Sequence, residues 1–175
     1  MTLEEASAVM ESVGVTAPKE LDGTAVAVAL PIIAKHLRRT RTGLSMAGID
    51  GAPDWLGYES DLWKLSGRLR PVLSARKDWR SGSDVLKAFA LICNDQSYSK
   101  GRQYMILMLG EFGGTSEATE ISALLDDPEV QGHVFKALTK LRDTRHQGTV
   151  ERLVPKLSGW VKAAAKKYVA LRPAK

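Results

Sequence analysis

Apolar positions in the last third of the chain recur about every thirty residues. Gly101, Met105, Met108, Leu109 and Phe112 stand at offsets 0, 4, 7, 8 and 11. Val130, Val134, Ala137, Leu138 and Leu141 repeat those offsets, and Val161, Ala165, Tyr168 and Val169 follow the first four. The offsets trace one stripe of a helix. The segments between them repeat as well: Ile121, Leu124 and Leu125 return as Val150, Leu153 and Val154, at a shift of 29. A helix pair with a single apolar stripe cannot bury it alone, so recurrence at a fixed interval predicts stacked units. Met105, Val134 and Ala165 should then occupy equivalent buried environments.

The N-terminal part is less regular. Thr2 and Glu5 form a capping box for a helix over Leu3–Ser12, which Gly14 ends. Asp22-Gly23 opens a long apolar helix reaching about Arg39. Pro31 is expected to kink or split it, by removing a hydrogen bond and clashing with the preceding turn. From 40 to 57 the glycines 43, 48, 51 and 57 and Pro53 leave no stripe, which reads as a long loop. Leu62, Leu65, Leu69 and Leu73 mark a third helix with Pro71 near its end, and Ser83 caps a fourth carrying Val85, Leu86, Phe89, Ile92 and Cys93.

Helices are then expected from about Lys100 to Phe112, Ser116 to Leu125, Asp127 to Leu141, Thr149 to Leu157 and Trp160 to Leu171. Glu117 and Glu120 suit the positive end of one helix dipole. Asp127-Pro128 places a cap and a first-turn proline at the start of another. The expectation is a single all-α domain over 1–175, with irregular helices over 1–80 that include the loop 40–57. Three helix pairs follow over 83–171.

Asp127-Pro128-Glu129-Val130-Gln131 and Leu109-Gly110-Glu111-Phe112-Gly113 resemble the start and end of the second helix in HEAT-like repeats. The likeness is to the short variety found in phycobilisome lyases, whose second helix begins Asp-Pro-x-Val-Arg and runs toward Ala-Leu-Gly. Arg102 fits the usual arginine, whereas Gln131 and Lys162 replace it, and Gly101 replaces a valine. The resemblance covers about 83–171. It implies a right-handed superhelix of helix pairs that serves as a scaffold or binding surface.

Composition narrows the class. Hydrophobic residues make up 44% and charged residues 26% of the chain, as in ordinary folded domains. The apolar run from Ala25 to Ala34 is much shorter than the ~20 residues of a membrane helix, and Met1-Thr2-Leu3-Glu4-Glu5 is acidic where an export signal is basic. A cytoplasmic protein is therefore expected. The single cysteine, Cys93, excludes an internal disulfide and reads as a buried apolar group. A net charge of +5 favours anionic partners.

No catalytic or metal-binding pattern stands out in the sequence. His36, His133 and His146 are isolated and show no metal-ligand spacing. Gly110 to Gly114 lacks the lysine of a phosphate loop. Ser74-Ala75-Arg76-Lys77 and Ser97-Tyr98-Ser99-Lys100 have acylating-enzyme spacing without the companion motifs. No cofactor, metal or catalytic set is expected.

The expected function is instead non-enzymatic binding of a protein partner, acidic in character, in the manner of an inhibitor or immunity protein. Between the apolar positions of the second helices lie Arg102, Tyr104, Gln131, His133, Phe135, Lys136, Lys162 and Lys166, the candidate groove. Phe135, next to the core position Val134, is expected to be partly exposed. The basic cluster Lys162, Lys166, Lys167, Arg172 and Lys175 reads as a solvated cap on the last unit.

Trp55, Trp63, Trp79 and Trp160, at element edges, read as gap fillers first and interface anchors second. The alternative function is nucleic-acid binding. It draws on Lys35, Arg38, Arg39 and Arg41, on Arg68, Arg70, Arg76, Lys77 and Arg80, and on a likeness to HEAT-like alkylation-repair glycosylases. None of that family's catalytic positions has a counterpart here.

Overall fold

A computed structural model describes residues 1–41 and 57–172. The described residues contain helices and no strand: α1 (Leu3–Ser12), α2 (Gly23–Arg41), α3 (Tyr58–Ala75), α4 (Asp84–Asn94), α5 (Gln103–Phe112), α6 (Thr115–Ser122), α7 (Gln131–Leu141), α8 (Gln147–Leu153) and α9 (Gly159–Val169). Most of the expected loop 40–57, with Trp55, and Lys175 at the other end lie outside them. None of the described helices is long and apolar enough to cross a membrane.

Local signals place several boundaries. The Thr2 hydroxyl accepts the Glu5 N–H at 3.2 Å, and the Thr2 N–H donates to Glu5 Oε2 at 2.7 Å, completing the capping box of α1. Ser83 Oγ accepts the Leu86 N–H at the start of α4. Pro31 does not split α2, which is continuous from Gly23 to Arg41. Val26, Ala29, Leu30 and Ala34 are buried on both sides of the proline. Their stripe stays in register across it, and packing on α1 and α4 holds the helix where one backbone bond is missing.

Two rows of touching helices organise the chain. In one, α3 meets α5, α5 meets α7 and α7 meets α9; in the other, α1 meets α2, α2 meets α4 and α4 meets α6. Contacts between α2 and α3, α4 and α5, α6 and α7, and α8 and α9 join consecutive helices in pairs. The expected core positions meet here: Met105, Val134 and Ala165 have no solvent exposure, and neither do Ile121 and Val150. Each fully buried valine, isoleucine or methionine among them contributes roughly 1.5–3 kcal/mol.

The closest approach in the first row is at Gly110. A Cβ there would stand 2.5 Å from the Ala137 Cα, so only glycine lets α5 and α7 touch backbone to backbone. In the second row Glu117 ties the start of α6 to the turn before α4. Its carboxylate accepts the N–H of Gly82 at 2.9 Å and of Gly114 at 2.8 Å, with hydroxyl donors from Ser81 and Ser116. Burial alone would raise its pKa. The hydrogen bonds to Gly82 and Gly114 win and hold it below the usual carboxylate range.

Arg102 corrects the sequence reading. It is not a groove residue: its side chain has no solvent exposure and joins three segments. Nε donates to the Ser99 carbonyl at 2.8 Å, one terminal nitrogen to the Cys93 carbonyl at 3.2 Å, and the other to Asp127 Oδ2 at 2.7 Å. Ser99, at φ 46, lies in the left-handed region and turns its carbonyl to this arginine, while its hydroxyl donates to Glu129.

The network also explains two helix starts that differ from expectation. A 3-10 turn over Gln96–Arg102 precedes α5, so regular helix begins at Gln103 rather than about Lys100. Asp127 Oδ1 caps the turn by accepting the Glu129 N–H at 3.0 Å, leaving Oδ2 for Arg102, and α7 begins only at Gln131. Cys93 is buried as expected. Its thiol lies 3.9 Å from the Arg102 carbonyl, and burial pushes its pKa up.

Removing one partner of a buried, fully bonded pair leaves the other charge stranded. Arg102→Met should therefore lower unfolding free energy by about 3–5 kcal/mol in urea titrations. A loss within experimental error would contradict the role given to this side chain.

Candidate functional site

The first row of helices leaves a narrow free strip, and that strip carries cationic and aromatic side chains. Two clefts adjoin on it. One, of about 240 Å³, is lined by Arg70 of α3, Tyr104, Leu107, Met108 and Glu111 of α5, and Lys136, Ala137 and Lys140 of α7. The other, of about 600 Å³, lies between α7 and α9 and is lined by Lys136, Thr139, Lys140, Trp160, Ala163, Ala164 and Lys167. Lys136 and Lys140 line both.

The two clefts differ in charge. In the smaller, Arg70 is paired: its guanidinium donates to Glu111 at 2.8 and 3.3 Å. In the larger, the lining contains three lysines and no acid, and no carboxylate of the described residues lies within ion-pair distance of them. Lys136 Nζ sits 4.5 Å from the Trp160 ring centroid, a cation–π arrangement that fixes the indole as a wall.

Trp160 is 50% exposed yet held on three sides. Behind it is Gly132, where an added Cβ would come within 2.4 Å of the indole. His133 meets the ring edge-on at 5.1 Å between centroids, and Lys136 lies over its face. The seat exists because Gly132, His133 and Lys136 share the flank of α7 turned toward α9.

At the other end of the strip, Trp63 is 42% exposed. It is stacked with Tyr104 at 6.3 Å between centroids, and its Nε1 donates to the Lys100 carbonyl at 3.1 Å. Trp79, by contrast, fills the core beside Arg76, whose guanidinium lies 4.8 Å from the Trp79 ring centroid.

Of the eight residues expected to form a groove, Tyr104 and Lys136 line the clefts, and His133 stands half-buried behind Trp160. Arg102 is internal, as described above. Phe135 is a second correction: it is fully buried. Helix α7 has α5 on one side, α9 on the other and α6 behind, so the position beside Val134 is covered rather than free. Gln131 is half-buried and lines neither cleft.

Lys162 and Lys166 also line neither cleft. On a helix turning roughly 100° per residue, Trp160, Ala163, Ala164 and Lys167 share the flank next to α7, and Lys162 and Lys166 fall on the opposite one. Lys140 and Lys167 are the cleft residues that the repeat pattern missed. The signal that could have found them is their i, i+4 and i, i+7 spacing from Lys136 and Trp160.

His133 Nδ1 is buried without a hydrogen-bond partner. Burial, and then the charge of Lys136, hold its pKa down to about 4. The described residues offer no cluster of metal-ligating side chains. No family model, curated protein or solved structure matches the chain.

Because the folded-state pKa of His133 lies below the ordinary 6.5, the stability linked to its neutral form is complete above about pH 6.5 and drains away as pH falls toward 4. His133→Phe removes that titration. Urea midpoints at pH 7 and pH 5 should fall less for this variant than for the wild type, and equal falls would contradict the burial of the imidazole.

Proposed function

We propose that this chain is a non-enzymatic binding protein that docks an acidic protein partner on the exposed strip of α5, α7 and α9, as an inhibitor or immunity protein does. The all-α pairing of helices in two rows fits a short HEAT-like right-handed superhelix, the architecture implied by the Asp127-Pro128 and Leu109-Gly110 motifs. Such an architecture presents one flank of its second helices to partners. The observation that carries the reading is the α7–α9 cleft, whose lining carries Lys136, Lys140 and Lys167 with no neutralising acid among the described residues. An exposed tryptophan seated in such a lining is a typical interface anchor.

Nucleic-acid binding is the second reading, and the stacked Trp63 and Tyr104 favour it, since paired aromatic faces can take a base. Glu111 weighs against it. It occupies the Arg70 guanidinium, the arginine that shares a cleft with Tyr104.

Immobilised wild-type protein and the Lys136→Glu/Lys140→Glu variant, exposed to the same nuclease-treated lysate at about 0.15 M salt, separate the readings. The wild type should retain an acidic protein that the charge-reversed variant, equally folded by circular dichroism, recovers at least tenfold less. Equal recovery, or retention that disappears with nuclease, would contradict the proposal.

A further inference from the structure

The α7–α9 cleft has more chemical definition than a generic basic surface. Its lining combines the apolar Ala163, Ala164 and Trp160 with three lysines on long stems, of which Lys136 lies over the indole ring. Lysine ammonium groups suit separate carboxylates better than a single planar bidentate group, for which arginine is the usual choice. The pre-seated indole, wedged over Gly132 and against His133, needs little further ordering when an apolar group packs on it.

Resting on the acidic-partner reading, we propose that this cleft is the receptor for a single acidic peptide segment of that partner. The segment inserts one aromatic or leucine side chain over Ala163 and Ala164 against Trp160, and its flanking carboxylates pair with Lys136, Lys140 and Lys167. The choice of a peptide over a phosphate strand follows from the lining. A phosphate backbone calls for a continuous charged track, whereas here the charges share the lining with apolar side chains. In the neighbouring cleft Glu111 neutralises Arg70, so that cleft adds no unpaired cation beyond the shared Lys136 and Lys140.

The test is selection from a random dodecapeptide library on the full chain, followed by calorimetric titration of the enriched peptide. Enriched peptides should carry an aromatic or leucine residue flanked by at least two Asp or Glu. Their affinity should fall at least tenfold for Lys140→Glu/Lys167→Glu and for Trp160→Ser, and stay within twofold for Arg70→Ala. The lysine variant, exposed and free of packing roles, keeps the test valid if Trp160→Ser is poorly folded.

Failure to enrich acidic peptides, or affinity indifferent to the lysine reversal, overturns the proposal. Dependence on Arg70 and Tyr104 instead would overturn the cleft assignment while leaving an acidic partner in place. A twelve-residue thymidine oligonucleotide that binds the same lysines more tightly than any peptide would overturn both.

Discussion

Backbone contact between α5 and α7 at Gly110 and Ala137 constrains everything around it. With no Cβ on Gly110, the two helices approach closely, and α7 lies wedged between α5 and α9, with α6 behind. Most of its circumference is then interior: Val134, Phe135, Ala137 and Leu138 have almost no exposure. What stays outside is a strip one or two side chains wide, and Lys136 and Lys140 occupy it. The second close approach, of Trp160 on Gly132, closes the far edge of α7 and gives the strip its aromatic wall. Function, on this account, is what packing leaves over.

The interior of the first row carries a polar element as well. Arg102 is buried with its donors matched to two carbonyls and a carboxylate, so it binds the turn before α5 to the turn before α7. A buried pair of this kind is weak evidence for net stability, because desolvation opposes it. Its contribution is to geometry: it fixes where each of the two helices begins, and with that the register in which α5 and α7 meet. Glu117 does the corresponding work in the second row, gathering two backbone N–H groups from the turns before α4 and α6.

Much of this was legible in the residues. The capping box at Thr2, the cap at Ser83 and the recurring Met105, Val134 and Ala165 lie where the pattern puts them, because each depends on local chemistry or on a period. Phe135 and Arg102 were misread for one reason. A repeat pattern says which positions form the stripe, but the width of the buried arc depends on how many neighbours a helix has. Central helices of a row bury the flanks of the stripe too. Lys140 was hidden by the same limit, and Trp160 and Lys167 were legible only as an edge aromatic and part of a basic cap, since only the contact of α7 with α9 selects which flank of α9 faces the cleft. Pro31 shows packing overriding a local breaker, as the stripe of α2 continues across it.

The account turns on the α7–α9 cleft being open and positively charged around a seated indole. Quenching of tryptophan fluorescence by iodide and by caesium at matched ionic strength, in the wild type and in Trp160→Phe, tests this most directly. Trp160 should supply a component that iodide quenches strongly and caesium weakly, because lysines attract one ion and repel the other, and the component should vanish in the variant. A Trp160 signal that neither ion reaches, or that both quench alike, would contradict it.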